Sequence, residues 1–475
     1  MNLPERSAQV VARTFEQGEN TLALAALIAM AFLPCVEAIT RVMGVPGVPG
    51  STVIVQHMTL WIGFLGAIIA ARESRLLSLT KPVEIETDER EGFSYWFAKS
   101  VAVTVSLILA YASFILVKTE SEYPRDILPG IPVWVVEVIM PLGFFLIAME
   151  MLRTSKKEPV FRALLIAIPI VIGAIALGET LQTPVVLWAG IIAVILSLAF
   201  GAPIFVGLGG LAVLLFWHDG VPIAAVPAEM YRIVVSPTLP TIPLFTLAGY
   251  ILAEGGASKR LVEVFQHWFG WIPGGTPVMI TLLCGFFTTL TGGSGVTILA
   301  LGGLLLPMLI SEKYPREFSV GLITVSGSLG LLFPPSLPAI IYGVTAGVPI
   351  NKIFLAGIVP GFFLVAMVAA WGVRQGLISK VPRRPFRPAE AFQAFWKAKW
   401  EAFIPVFILI GIFGGFTTLV EVAALTVVYV LVVEVFVYRD VKLNDLPKVI
   451  VDCATLVGGV LIILGVAMGF TSYLV

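Results

Sequence analysis

Of the 475 residues, 58% are hydrophobic and only 13% are charged, with a mean hydropathy of +0.98. Soluble domains carry about a quarter of charged residues, so this composition excludes a water-surrounded globule and places the chain in a bilayer. With 30 acidic side chains against 30 basic ones, bulk attraction to nucleic acid is excluded as well.

A ~30 Å hydrocarbon slab takes roughly 20 apolar residues per helical crossing, and runs such as Val101 to Val117 and Ile353 to Trp371 meet that need. The ~10-residue alternation of a membrane β-barrel is missing. The sequence therefore predicts an all-α, polytopic integral membrane protein. Cys35, Cys284 and Cys453 sit in apolar stretches with no metal-binding spacing and read as small core residues. The first twenty residues hold no short apolar core before a small-residue cleavage site, so the first span itself is expected to direct insertion.

Spans are predicted near 21–40, 52–71, 97–117, 132–151, 160–178, 185–200, 203–217 and 238–254. With a cytoplasmic N-terminus, the inside segments up to residue 162 hold Arg6, Arg13, Arg72, Arg75, Lys81, Arg90, Arg153, Lys156, Lys157 and Arg162. Only Arg41, Lys118 and Arg125 fall outside, so the positive-inside rule favours that orientation. The block from Pro277 to Ile310 is interrupted by "TGGSG" at Thr291 to Gly295, leaving arms of about 15 residues, short for a crossing. It reads as a re-entrant hairpin with both ends cytoplasmic. Spans near 318–346, 353–372, 402–419, 421–438 and 449–470 follow, and leave only Lys352 outside. The basic segment from Arg374 to Trp400, with Phe386, Phe392, Phe395, Trp396 and Trp400, is expected to lie along the cytoplasmic membrane lipid interface.

Lipid cannot hydrogen-bond a free backbone group, so irregular backbone at membrane depth needs protein or a water-filled cavity around it. Two segments demand this. In "TGGSGVT" the glycines Gly292, Gly293 and Gly295 free the chain while Thr291, Ser294 and Thr297 bring hydroxyls. In "SGSLGLLFPPSLP", which holds Ser326, Ser328, Gly330 and Ser336, the pair Pro334 and Pro335 removes two amide donors. Phe333 is pushed out of the α region by the proline after it, so the helix must open. An opened membrane helix offers carbonyl oxygens at one half and free amides at the other, which suit a cation and a carboxylate. Carbonyls near Gly292, Ser294, Gly330 and Phe333 are the candidate cation ligands.

Glu37, Glu137, Glu421 and Glu434 fall in apolar segments, where a carboxylate is a functional candidate. Glu37 is expected to be neutralised by Arg41, and Glu434 at the Arg439 end. Thr418 and Glu421, after Gly414 and Gly415, are further site candidates. His57, His218 and His267 are scattered, and no hydrolytic, zinc or phosphate-loop arrangement occurs, so no enzyme and no cofactor are expected.

Taken in order, "IPLFTLAGYILAEGGASKRLVE", "GWIPGG", "TGGSGVT", "GLLFPPSLPAIIYGVTAG" and "IFLAGIVPGF" resemble the large membrane subunit of TRAP transporters, the tripartite ATP-independent periplasmic family. The first four spans, with "LWIGFLGAIIAARES", are similar to that family's small membrane subunit. The resemblance implies a fusion: a small-subunit-like four-helix domain over 1–158, a connecting transmembrane helix over 159–184, and a large-subunit-like transport domain over 185–475 holding the N-terminal part of that subunit.

By the same resemblance, the chain imports a small carboxylate across a bacterial inner membrane by an elevator motion. Sodium is the coupling ion and a periplasmic substrate-binding protein delivers the substrate. It assigns Gly292, Gly293, Ser294 and Gly295 to a hairpin tip, and Gly330, Pro334, Pro335 and Ser336 to an unwound helix. The family's "TPTEAA" stands here as "TLVEVAA" from Thr418 to Ala424, with Leu419 in place of proline and Val420 in place of threonine. The family continues with a second hairpin and a second proline-broken helix, whereas this sequence stops at Val475. Two alternatives stand beside import with a binding protein: a sodium-coupled citrate or dicarboxylate carrier needing none, and a transport-incompetent membrane or assembly protein.

Overall fold

The computed structural model describes residues 3–80, 93–154, 183–381 and 385–475, with positions 169 and 173. The helix expected at 160–178 otherwise lies outside the described residues. Among those residues, eight helices are long and apolar enough to cross a membrane, or up to nine if one bent pair counts as a single span. The one sheet found there is a two-stranded antiparallel ribbon, Asp126–Leu128 with Ile131–Pro132, turning at Gly130 with φ +85. The fold is the all-helical, polytopic one that the composition demands.

Four of the expected spans are short helices. Pro184–Ala199, Ile204–His218, Thr241–Glu254 and Lys399–Phe413 hold 16, 15, 14 and 15 residues. At ~1.5 Å per residue they reach about 21 to 24 Å, less than a full slab. Their ends fall at Gly201 with φ +95, at Gly255, and at Gly414 before Gly415 with φ +73. Sidedness counted through residues beyond 184 therefore passes through helices shorter than a standard crossing. Two stretches expected as loops hold amphipathic helices, Ala225–Val234 and Ala257–Phe269.

The chain forms two compact units. The first comprises Met1–Leu27, Val53–Pro237 and Ala454–Val475. Within it, Gly66 and Gly458 let two helices touch backbone to backbone: a Cβ on Gly66 would lie 3.0 Å from the Gly458 Cα. Phe64 meets Phe144 edge to face at 5.1 Å. Arg72 bonds Glu19 at 2.6 Å and Asn20 at 3.0 Å, while His57 Nε2 lies 2.9 Å from the Tyr231 hydroxyl. Glu137 is buried, and one of its carboxylate oxygens has no partner among the described residues.

The second unit comprises Ile28–Thr52 and Thr238–Cys453. It corrects two expected pairings. Glu37 accepts from the Ser51 hydroxyl and, at 3.5 Å, from that of Thr52, while Arg41 pairs with Glu421. The i,i+4 spacing of Glu37 and Arg41 suits a helical pair, but the long Arg41 fork reaches the more deeply buried carboxylate instead. Glu434 pairs with Arg260, not Arg439. Arg439 occupies a left-handed turn at φ +60 just after the helix.

Candidate functional site

The hairpin forms inside the second unit as two helices, Gly275–Thr291 and Ser294–Ser311, joined by Gly292 and Gly293 alone. Gly292 is left-handed at φ +69, a conformation that glycine reaches without penalty, and Gly293 is extended. The tip is thus two residues, and Ser294 and Gly295 open the second arm. Arms of 17 and 18 residues exceed the 15 expected. The shortness that argued for re-entry is smaller than the sequence suggested.

The broken helix opens where the prolines require. Arg316–Leu329 runs into a 3-10 turn at Gly330–Leu332, Phe333 is extended at φ −94 and ψ 143, and the peptide between Pro334 and Pro335 is cis. Helix resumes at Leu337–Ala346 after a bend of 43°. Ser336 is the hinge's organiser: its hydroxyl donates to the Leu331 carbonyl and accepts from the Ala339 amide at 3.3 Å. One side chain thereby caps the new helix and satisfies a carbonyl of the old one.

These two irregular elements meet. The first arm packs against Arg316–Leu329, the 3-10 turn and Thr241–Glu254. Thr288, Thr291 and Thr297 are fully buried. The Thr297 hydroxyl lies 2.8 Å from that of Thr288 and 3.0 Å from that of Thr291. Thr288 donates to the Gly327 carbonyl at 2.9 Å, and Thr289 donates to the Gly330 carbonyl at 3.3 Å. Glycine is needed where these elements cross: a Cβ on Gly330 would fall 2.7 Å from Thr288 Cβ, and one on Gly249 would fall 2.8 Å from Thr291 Cα. Ser326 is buried with its hydroxyl unpartnered among the described residues.

Of the expected site residues, the structure brings together Thr291, Gly292, Gly293, Thr297, Ser326 and Gly330. Pro334, Pro335 and Ser336 are buried at the break, whereas Ser328 and Gly295 face outward. Gly330, expected as an ion ligand at the unwound helix, is a point of close approach, and its carbonyl already accepts from the Phe333 amide at 3.1 Å and from Thr289. Thr418 and Glu421 form a capping box for Leu419–Leu431: the Thr418 amide donates to Glu421 at 2.7 Å and the Glu421 amide to Thr418 at 3.3 Å. Sequence reasoning missed Thr288, Thr289 and Gly327. The available signal was helical spacing, since Thr288 and Thr291 lie three apart on one face leading into the glycines.

It also missed an ionic cluster around Arg260. This guanidinium bonds Glu401, Glu434 and Asp440 and stacks on the Tyr438 ring at 3.7 Å. Glu401 and Glu434 are fully buried. Burial alone would lower the Arg260 pKa, but the hydrogen bonds it donates to Asp440 and Glu401, with the charge of Glu401, outweigh it and hold the group firmly charged.

Comparison with known proteins matches the chain in two stretches. Residues 190–475 match the family model described as "Tripartite ATP-independent periplasmic transporter, DctM component", and residues 9–157 match the corresponding DctQ component. The isethionate TRAP transporter permease protein DctMQ of Oleidesulfovibrio alaskensis is 26% identical over 95% of this chain and 73% of its own length. The C4-dicarboxylate TRAP transporter large permease protein DctM of Vibrio cholerae is 33% identical over 54% of this chain and 59% of its own. The ectoine TRAP transporter large permease protein TeaC of Halomonas elongata is 32% identical over 49% of this chain and 55% of its own. The chain thus spans little more than half the length of these two large permease proteins.

Proposed function

Because the chain belongs to the tripartite ATP-independent periplasmic transporter family and joins its small and large membrane subunits in one polypeptide, we propose that it performs sodium-coupled import of a small carboxylate across a bacterial inner membrane. A periplasmic binding protein delivers the substrate, and the N-terminus lies in the cytoplasm.

The observation that carries this reading is the meeting of the hairpin and the broken helix at Thr288, Thr291, Thr297 and Gly327. Three hydroxyls and nearby carbonyls are neutral, hard oxygen donors. They suit a monovalent cation, whereas dedicated divalent sites rely on carboxylates. The amide ends of the helices starting at Ser294 and Leu337 carry partial positive charge and suit the substrate's carboxylate. Relatives named for C4-dicarboxylate and ectoine favour a carboxylate, and the one named for isethionate makes a sulfonate the competing class. In an elevator step, hairpin and broken helix travel as one body, since the threonine bonds tie them together.

The test is uptake of labelled dicarboxylate by the reconstituted chain, with and without a sodium gradient and a cognate binding protein. Uptake is expected to need both. Sodium-independent uptake would overturn the coupling, and uptake without a binding protein would favour a carrier that works alone.

A further inference from the structure

Away from the hairpin, aromatic and basic side chains gather where two amphipathic helices meet. Ala257–Phe269 and Pro388–Lys397 pack together. The Trp268 indole donates to the Ala391 carbonyl at 3.2 Å, and Trp271 lies edge to face with Phe386. Trp268, Trp271, Phe386, Phe392 and Trp396 nevertheless remain 46% to 64% exposed. So much aromatic surface marks headgroup depth rather than bulk water. The chain's course agrees: Pro388–Lys397 follows the candidate span Ile350–Ile378 and leads directly into the apolar helix Lys399–Phe413.

The junction reads Trp396-Lys397-Ala398-Lys399-Trp400. Lys399 Nζ sits 4.1 Å from the Trp396 ring centroid and 5.3 Å from that of Trp400. An open groove of about 440 Å³ is lined by these two rings, by Lys397 and Lys399, and by Tyr438, with Arg260 and Glu263 beside them. The charges divide clearly. Arg260 is committed to its three carboxylates, and Lys397 reaches Glu263 only at 4.0 Å. Lys399 has no carboxylate in ion-pair range among the described residues and is held between indole faces.

We propose that this junction is a binding groove for an anionic phospholipid. Its phosphate would sit on Lys399 and Lys397, and its glycerol and first acyl carbons along Trp396 and Trp400. A soluble anion would use the lysines but gain nothing from the indole walls, whereas a lipid headgroup uses both.

The experiment reconstitutes the full chain in phosphatidylcholine vesicles and follows tryptophan quenching by dibrominated phosphatidylglycerol or dibrominated phosphatidylcholine. The phosphatidylglycerol is expected to quench at the lower mole fraction. That preference should fall about fivefold for each lysine removed in K397Q and K399Q and persist in K399R, and W396F/W400F should lose the selective part of the quenching. Equal quenching by the two lipids in the unaltered chain, or undiminished preference in K397Q/K399Q, would overturn the proposal. So would displacement by millimolar inorganic phosphate, which would make the groove a soluble-anion site.

Discussion

Thr288 donates its hydroxyl proton to the Gly327 carbonyl at 2.9 Å, tying the last turns of the hairpin's first arm to the helix that breaks three residues later at Gly330. A side chain on one irregular element thus satisfies a backbone oxygen on the other. Thr297 closes the arrangement from the second arm. The three segments share one buried polar cluster.

Thr288→Val keeps the shape and deletes the hydroxyl, taking the side-chain donor from the Gly327 carbonyl and one of two threonine partners from the Thr297 hydroxyl. A buried group left unpaired costs roughly 1 to 3 kcal/mol, so thermal unfolding in detergent should occur at lower temperature, with Thr288→Ser near the parent. If the cluster also holds the coupling ion, Thr297→Val should raise the sodium concentration for half-maximal uptake by about ten- to a hundredfold. Ser294→Ala removes a hydroxyl outside the trio and should do less. Equal losses in Thr297→Val and Ser294→Ala would return the ion to the glycine tip.

The proline break invites a paired comparison. Replacing Pro334 and Pro335 with alanine restores two amide donors and removes a clash worth ~3 kcal/mol in a helix interior, so sodium-dependent uptake should suffer more than stability. Ser336→Ala removes a cap worth ~1 kcal/mol and frees the Leu331 carbonyl, so it should lower the unfolding temperature while leaving the break open. Uptake unchanged by the double alanine variant would reduce the break to a plain kink.

Much of this was legible because it rests on local chemistry. Proline pairs and glycine runs act through the backbone, so the opening at Phe333 and the turn at Gly292 follow from single residues and their neighbours. Thr288 and Gly327 were not, since their pairing depends on positions 39 apart in the chain folding back on each other. The same holds for Arg260, which in sequence stands only beside Lys259. Its carboxylates at Glu401, Glu434 and Asp440 lie 141 to 180 residues away, beyond any periodicity. Sequence neighbours misled at Glu37 and Glu434, where the nearest arginine was not the partner chosen.

Glu421 offers a test of cap against charge. It accepts from the Thr418 amide and also pairs with Arg41, whose side chain is half exposed. Glu421→Gln keeps an acceptor for the cap and loses only the ion pair, which for a partly exposed arginine is worth ~0 to 1 kcal/mol. Glu421→Ala loses both, adding roughly 0.5 to 2 kcal/mol for the cap. The alanine variant should therefore unfold at clearly lower temperature than the glutamine one. If the two coincide, the ion pair and not the cap holds this helix start.

The Arg260 cluster should be the costliest to break in the second unit. Glu401 and Glu434 are fully buried and share this one guanidinium, so Arg260→Ala leaves two carboxylates without their cation. Removing one member of a buried pair costs roughly 3 to 5 kcal/mol, because the stranded charge has lost both water and partner. Arg260→Lys keeps the charge but gives up the planar fork and the stacking on Tyr438, so it should fall between parent and alanine. The decisive variant is Arg260→Ala combined with Glu401→Gln and Glu434→Gln, which removes the stranded charges as well. Its unfolding temperature in detergent should recover much of the loss. If the triple variant stays as unstable as the single one, the guanidinium's packing against Tyr438, rather than charge neutralisation, is what joins these helices.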